Sequence, residues 1–201
     1  MTTLKLIYFD FPGGRGEDCR LALHLADQPF EDVRVKFPSW AEHKPGTPFG
    51  ALPVLEVEGK GRLAQSNAIL TYIGRRWDLH PSDPWRAAQH EAIMAAVEDA
   101  RGKVGDTLQL DADTKKQRRE ELSTGYLADW GRRIEAQLGD GPLLEGNRIS
   151  VADLKLFVFL QWFASGALDH LPKDQFASCP KLERLSAAVK AHPRVAQWYA
   201  R

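Results

Sequence analysis

Hydrophobic residues in the first third of the chain fall into two short extended runs with a helical run between them. LKLIYF, at residues 4–9, is β-branched and aromatic and ends at the breaker run DFPGG. Residues 15–26 repeat leucine and alanine at helical spacing, and FEDVRV, at residues 30–35, alternates apolar and polar positions. The pattern predicts a strand, a helix and a parallel second strand joined by a right-handed crossover.

A second unit follows between residues 47 and 69. Pro53 precedes an alternating run at residues 54–57, residues 58–61 supply a turn, and residues 62–65 form another short run. Ser66 then stands where the N-cap of an apolar-periodic helix is expected. An antiparallel hairpin followed by a helix completes the order βαβ-ββα, which predicts a mixed sheet with helices packed on it.

The rest of the chain has only helical periodicity. Breaker residues at 78–84 separate it from the mixed sheet, so we place one domain at residues 1–79, a linker at 80–85 and an all-helical domain at 86–201. The predicted fold class is α/β plus all-α. Helices are expected at residues 85–110, 113–138, 150–164, 179–191 and 193–199. The segment KKQRREE, at 115–121, is interpreted as solvated helix surface.

Ser150 and Asp153 mark the strongest helix start in the sequence. Ser150 has the N-cap position and Asp153 follows three residues later, which is an Asp version of a capping box, while Ile149 and Leu154 are spaced as a hydrophobic staple. The helix that they open, LKLFVFLQWFA, is apolar nearly all round. We therefore expect it to be the buried central helix.

Charge and cysteine content exclude several classes of protein. The chain has 27 Lys plus Arg and 27 Asp plus Glu, and this balance argues against a general binder of nucleic acid or anionic membranes. No apolar run reaches the ~20 residues of a membrane span, and no signal peptide is recognisable. Cys19 and Cys179 have neither metal-site nor CxxC spacing. We expect a cytoplasmic protein without a metal, with Cys19 as a small buried residue.

Two features of the hairpin region are chemically suggestive. Leu52 precedes Pro53, so its backbone groups border the strand that follows, and Gln65-Ser66 places an amide, a hydroxyl and free N–H groups at a helix start. A peptide-like ligand could pair its backbone with Leu52 and place a carboxylate on Ser66. The structural alternative is an ordinary hairpin followed by a capped helix.

Four segments resemble, in this order, the cytosolic glutathione transferases, and most closely the tyrosine-type, sigma-like members. The segments are YFDFPGGRGEDCRLAL, W…K…TPFGALPVLEV, LAQSNAIL and GNRISVADLKLF. The resemblance covers essentially the whole chain. It implies a thioredoxin-like first domain, a homodimer, and an enzyme that adds the glutathione thiolate to a hydrophobic electrophile.

The resemblance assigns the catalytic role to Tyr8 and a supporting charge to Arg15. The Tyr8 hydroxyl would donate a hydrogen bond to the glutathione sulfur and favour its thiolate. The alternative is a strand tyrosine whose ring only fills the core. PGGRGE carries one residue more than the family pattern between these two positions, so the loop could place Arg15 differently.

The same resemblance implies a set of glutathione-binding residues. They are Tyr8, Trp40, Lys44, Ala51, Leu52, Pro53, Gln65, Ser66 and Asp99. Lys44 and Trp40 would face the glycine end of the tripeptide, and their alternatives are a solvated lysine and a packing tryptophan. Asp99 would reach the ligand's ammonium group across a two-fold interface, with the adjacent Glu98 as an alternative.

The second-substrate pocket is expected at Phe11, Arg15 and Lys103, with weaker candidates in Phe163 and the tail at 198–199. Competing functions are glutathione-dependent peroxidase or isomerase chemistry and a non-catalytic ligand-binding protein. A disulfide reductase would need a CxxC motif, which the region around Tyr8 lacks. Scattered histidines and the lack of a Gly-rich phosphate loop give no support for a metal or a nucleotide cofactor.

Overall fold

The computed structural model describes residues 3–201, so the first two residues of the predicted domain 1–79 lie outside the described residues. Its first part contains four strands and three helices. In chain order they are β1 (Leu4–Phe9), α1 (Gly14–Leu25), β2 (Glu31–Val35), α2 (Trp40–His43), β3 (Val54–Val57), β4 (Gly61–Ala64) and α3 (Ser66–Arg76).

The four strands form one mixed sheet in the order β2-β1-β3-β4. β1 pairs with β2 in parallel, with Tyr8 opposite Arg34, and with β3 in antiparallel fashion, with Ile7 opposite Val54. The antiparallel hairpin of β3 and β4 completes the sheet. The predicted thioredoxin-like βαβ-ββα arrangement is confirmed.

The second part is helical from Pro84 onward, as predicted. Its helices are α4 (Pro84–Gly105), α5 (Ala112–Leu122), α6 (Ala128–Gln137), α7 (Val151–Ala164), α8 (Pro180–Ala191) and α9 (Pro193–Tyr199). The helix predicted at 113–138 is wrong in one respect, because a π-helical turn at Ser123–Leu127 divides α5 from α6. α4 also ends five residues before the predicted Leu110.

α7 is the central helix, and the predicted capping box is present. The Ser150 hydroxyl oxygen accepts from the Asp153 N–H at 3.4 Å, and the Asp153 carboxylate accepts from the Ser150 N–H at 2.8 Å. The first ten residues of the helix are all buried. The local cap therefore provides hydrogen-bond partners for backbone N–H groups at this helix start, which is buried and out of reach of water.

α1 connects the sheet to the helical part of the chain. It packs against α3, α7 and α9, and residues 16–24 are all buried. Apolar side chains from the sheet, α1, α3, α4 and α7 form one continuous core. α1 touches both parts of the chain. The loop that joins β1 to α1 therefore lies where the two parts meet.

One charged residue in the segment that we interpreted as solvated surface is buried. Arg119 is only 1% exposed, and its guanidinium donates to the Thr107 hydroxyl at 2.8 Å and to the Asp169 carbonyl at 2.9 Å. The rest of the segment is exposed or half-buried. The interpretation is therefore wrong for Arg119, whose partners lie 12 and 50 residues away in the chain.

Candidate active site

Tyr8 has the last inward-facing position of β1. Side chains alternate along the strand, so Leu4, Leu6 and Tyr8 are buried, and Tyr8 is 5% exposed. Its ring centroid lies 5.6 Å from that of Phe11 and 5.6 Å from the guanidinium carbon of Arg20. These contacts fix the ring, and the strand ends one residue later.

Two glycines allow the start of α1 to approach Tyr8 closely. A Cβ at Gly16 would lie 2.0 Å from the Tyr8 ring, and a Cβ at Gly14 would lie 2.8 Å from its hydroxyl oxygen. Gly14 also has φ +64°, which side-chain-bearing residues rarely adopt. The extra residue of this loop is therefore accommodated by glycine, and α1 starts directly at the hydroxyl.

The Tyr8 hydroxyl retains its proton at neutral pH. Burial raises its pKa above the ordinary value, and Asp18 acts in the same direction. The positive charge and the backbone N–H of Arg15 oppose this shift without reversing it. A protonated phenol at this position can donate a hydrogen bond to an anion that lies within reach of its oxygen.

Arg15 lies in the first turn of α1, and a residue of the helical part of the chain holds its side chain. Its Nε donates to the Glu98 carboxylate at 2.6 Å. Burial alone would raise the pKa of Glu98, but the charges of Lys155, Arg101 and Arg15 together lower it to about 2. Glu98 is therefore a permanent carboxylate that fixes Arg15 beside Tyr8.

Ser66 begins α3 but does not cap it, so the N-cap prediction is wrong by one residue. The N-cap residue is Gln65, which has φ +73°, and its carbonyl accepts the first helical hydrogen bond from the Ile69 N–H at 3.0 Å. The Ser66 hydroxyl instead donates to Glu98 at 3.4 Å. The N–H groups of the first helical turn, at 66–68, precede this first bond of the ladder and face the helix end.

Leu52 stands immediately before β3, joined to Pro53 by a cis peptide bond. Pro53 is buried, Leu52 is half-buried and Ala51 is exposed. The ladders of the sheet begin at Val54, so the backbone of Leu52 extends the line of β3 beyond its paired region. An extended peptide could pair with this backbone in the manner of an added strand.

Comparison with known proteins identifies the family. The family model of the glutathione S-transferase N-terminal domain matches residues 4–75, and that of the C-terminal domain matches residues 98–201. The chain belongs to the glutathione S-transferase family. It is thus a transferase enzyme, and its family membership implies glutathione as its substrate.

The transferase is similar to proteins with two different names. Glutathione S-transferase 1 of Ascaris suum is 46% identical over 99 residues, which are 49% of this chain and about half (47%) of that protein. Hematopoietic prostaglandin D synthase of Homo sapiens is 31% identical over 201 residues, covering 100% of this chain and 97% of that protein. Among solved structures, prostaglandin synthase D of Nilaparvata lugens aligns with a TM-score of 0.87 at 27% identity, covering 99% and 98% of the two chains.

Trp40 and Lys44 lie on α2 and the turn that follows it, beside the Tyr8 end of the sheet. The Trp40 ring centroid is 5.4 Å from that of Phe9, in an edge-on arrangement. Lys44 is exposed, and its carbonyl accepts from the Thr47 N–H at 3.1 Å. The turn therefore fixes the backbone of Lys44 and leaves its side chain in solvent.

Asp99 and Lys103 lie on the exposed side of α4, away from the contacts that join Glu98 to Ser66. Asp99 is exposed, and Ala92 and Ala95, which are also exposed, lie on the same stripe of the helix. The Lys103 ammonium lies 6.0 Å from the Tyr126 ring centroid. Within the chain it is thus Glu98, the alternative candidate, that approaches the start of α3.

Phe11 belongs to an aromatic stack at the open side of Tyr8. Phe37 is 63% exposed and lies between the ring of Phe9, at 4.7 Å, and the ring of Phe11, at 6.0 Å. Phe163, a weaker candidate for the same pocket, is 1% exposed and packs against Phe176 in the core. The expectation that Phe163 lines the pocket is wrong, because the core encloses its ring.

Three buried charged residues behind this site, Asp18, Arg101 and Lys155, were not among the predicted site residues. Asp18 accepts two hydrogen bonds from Arg101, at 2.5 and 2.8 Å, and Lys155 donates to Glu98 at 2.5 Å. The available signal is the lysine at the second position of LKLFVFLQWFA, because a cation in an otherwise apolar helix requires buried partners.

Two kinds of feature are absent from residues 3–201. None of the helices in this range has the length and apolar character needed to cross a bilayer. In the same range, His, Cys, Asp and Glu side chains form no group of three or more that could hold a metal ion.

Proposed function

We infer that the transferase conjugates glutathione to a hydrophobic electrophile, with Tyr8 as the residue that activates the thiol. The Tyr8 hydroxyl donates a hydrogen bond to the sulfur, and Arg15 adds positive charge beside it. The thiol proton leaves to solvent, the sulfur lone pair forms a bond to carbon, and the leaving group departs with its electron pair. The observation that carries this proposal is a protonated hydroxyl packed against the start of α1, next to Arg15.

The energies needed are compatible with this arrangement. A free thiol with pKa ~8.5 is only a few per cent ionised at neutral pH. Lowering this pKa by two units requires ~2.7 kcal/mol. One hydrogen bond to a charged acceptor contributes ~1.5–3 kcal/mol, so Tyr8 alone supplies most of the effect and Arg15 the remainder.

The tripeptide is held at the end of the sheet where β1 ends and the inner strand β3 begins. Leu52, between Ala51 and Pro53, pairs with the cysteinyl backbone, and Gln65 and Ser66 hold the γ-glutamyl carboxylate at the start of α3. Trp40 and Lys44 hold the glycine end through an indole N–H and an ammonium group. Residues 1–79 thus form the glutathione-binding domain, 80–85 a linker, and 86–201 the domain that completes the electrophile pocket.

The pocket for the electrophile lies at Phe11, Arg15 and Lys103, and we propose a homodimer in a cytoplasmic setting. Ala92, Ala95 and Asp99 form a stripe on α4 that is exposed within the chain, and this stripe supports a helix-to-helix contact between two copies. In that dimer Asp99 reaches the ligand's ammonium group in the partner copy. A monomer in light scattering contradicts this role of Asp99.

Tyr8→Phe tests the proposed function because it removes one hydroxyl and keeps the ring. We expect conjugation of an aromatic halide to fall by about a hundredfold in kcat/KM, in proportion to the ~2.7 kcal/mol assigned to thiol ionisation. Glutathione binding persists, while the ultraviolet absorbance of the bound thiolate at neutral pH disappears. Tyr72→Phe, on α3 and packed on Trp77, is the matched control and retains activity. Near-normal conjugation by Tyr8→Phe refutes the role of Tyr8.

A second candidate function is a glutathione-dependent isomerase. The end-to-end similarity to a protein named hematopoietic prostaglandin D synthase supports this candidate. The same thiolate would attack one endoperoxide oxygen, so that an S–O bond forms as the O–O bond breaks and the other oxygen becomes an alkoxide that takes up a proton. Loss of a proton from the carbon that bears the first oxygen would then form C=O and break the S–O bond, which releases the thiolate unchanged. Isomerisation of a prostaglandin endoperoxide, without conjugation of any electrophile in a panel, would favour it. Glutathione binding with neither reaction favours a ligand-binding protein.

A further inference from the structure

Lys155 is a fully buried cation directly behind the proposed γ-glutamyl site. It lies in α7, is 0% exposed, and donates to carboxylates on two other helices: Glu98 on α4 at 2.5 Å and Asp18 on α1 at 3.4 Å. It also donates to the Ser66 hydroxyl oxygen, at the start of α3, at 3.2 Å. Burying an ammonium group costs free energy, so the presence of one where four helices meet requires a physical explanation.

The cluster around Lys155 carries one positive charge more than its carboxylates neutralise. Arg15, Arg101 and Lys155 are three cations, while Asp18 and Glu98 are the two carboxylates that contact them. The neighbouring Arg20 is paired separately, with Glu17 and Asp32. Without Lys155 the cluster would be neutral, so the surplus charge is the contribution of this residue.

Hydrogen-bond directions at Ser66 indicate where this charge acts. Because the Lys155 ammonium can only donate, the Ser66 oxygen accepts from it and the hydroxyl proton points elsewhere. In the structure that proton goes to Glu98 at 3.4 Å, on an oxygen that also receives Lys155 at 2.5 Å and Arg101 at 3.2 Å. It is the longest of the three bonds, so the hydroxyl can turn to an incoming anion while Glu98 remains paired.

We propose that Lys155 is a positioning residue for carboxylate recognition: it orients the Ser66 hydroxyl as a donor and supplies the positive charge that a bound carboxylate neutralises. The ligand class is an α-carboxylate at the end of a γ-glutamyl peptide. The proposal rests on the proposed function, because it deepens the role of Ser66 in holding glutathione. Lys155 acts through Ser66 and does not touch the reacting sulfur.

The test compares glutathione with γ-aminobutyryl-cysteinyl-glycine, which lacks only the α-carboxylate of the glutamyl group. Wild-type protein should bind glutathione about tenfold more tightly than this analogue, as expected for one hydrogen bond to a charged group. Lys155→Met should bind the two ligands equally, because it loses about tenfold in glutathione affinity and none for the analogue. Titration calorimetry measures both dissociation constants.

Two further variants separate recognition from stability. Arg119→Met removes another fully buried cation, whose partners Thr107 and Asp169 lie outside the Lys155 cluster, and this variant should be destabilised yet keep the wild-type preference for glutathione. Lys155→Gln keeps a hydrogen-bonding amide without the charge, and it takes the place of Lys155→Met if that variant does not fold. Its preference for glutathione should also fall, because the positive charge is lost.

The outcomes distinguish this inference from the proposed function. Wild-type protein that fails to bind glutathione overturns the proposed function. Wild-type preference retained in Lys155→Met or Lys155→Gln overturns the role of Lys155 and leaves the proposed function intact. Equal loss of preference in Arg119→Met also overturns it, because the effect is then a general consequence of removing a buried cation.

Discussion

Two buried polar clusters on α7, only two residues apart, are built in opposite ways. At the start of the helix, the Asp153 carboxylate accepts from the N–H groups of Ser150 and Leu144, at 2.8 and 2.9 Å, which are three and nine residues away. Half a turn later, Lys155 donates to Glu98 and Asp18, which are 57 and 137 residues away. One cluster is closed by neighbours in the sequence, and the other exists only after four helices have packed.

The pKa values of Asp153 and Glu98 differ because the first carboxylate has neutral partners and the second has cationic ones. Burial raises the pKa of Asp153 to about 6, and hydrogen bonds from Ser150 and the Leu144 N–H only partly offset that shift. Burial would also raise the pKa of Glu98, yet Lys155, Arg101 and Arg15 lower it to about 2. Neutral donors thus satisfy the carboxylate of the cap, whereas the cations that distant helices bring to Glu98 keep that carboxylate ionised.

The largest expected effect is the loss of Asp18, which would break the ionic cluster rather than the cap. Asp18→Leu removes the carboxylate and leaves Arg101 and Lys155 with Glu98 as their shared carboxylate. We expect the free energy of unfolding to fall by about 3–5 kcal/mol, the cost of breaking a buried ion pair. Urea denaturation measures it. Lys155→Met, which leaves two cations with two carboxylates, should cost less, and a larger loss there would contradict this account of the charges.

Acid titration should separate the two carboxylates by the sign of their effect. Folded Asp153 binds its proton more tightly than the unfolded chain does, so its contribution to stability falls as pH rises from about 4 to about 6. Glu98 behaves oppositely, and its contribution is lost as pH falls from about 4.3 to about 2. Shifts of about two units correspond to changes on the order of 3 kcal/mol.

The measurement compares wild-type protein with Asp153→Asn and Glu98→Gln in unfolding experiments between about pH 2 and pH 7, a range that spans both titrations. The stability difference from Asp153→Asn should change between about pH 4 and pH 6, and that from Glu98→Gln below about pH 4.5. Slopes of the same sign would show that the two clusters are not electrostatically distinct.

The smallest expected effect is the loss of the local cap. Ser150→Ala removes the side chain that accepts from the Asp153 N–H, and it should lower the free energy of unfolding by about 1 kcal/mol. Ser165→Ala, at the other end of the same helix, is the matched control because Ser165 is exposed and bonds only locally. Unchanged melting of Ser150→Ala relative to this control would show that the cap adds nothing to stability.

Side-chain periodicity was enough to predict the elements that depend on nearby residues. The alternation in Leu4–Phe9, the hairpin after Pro53 and the cap at Ser150 are each set by residues within a few positions of one another. The interruption at Ser123–Leu127 was not predicted, because the same helical spacing continues through a π-turn that adds one residue. The start of α3 was displaced by one residue because Gln65 adopts a positive φ, which the sequence pattern does not reveal.

The mixed sheet, the helical second part and, through the family resemblance, the residues proposed to hold and activate glutathione could all be predicted from the sequence. The packed structure was needed to show that Glu98, rather than Asp99, approaches Ser66 within the chain, and that Glu98 on α4 anchors Arg15. It also decided that Lys155 and Arg119 are buried. A charged residue looks the same in the sequence whether its side chain ends in water or against a partner far along the chain. Which of the two occurs depends on how the helices pack.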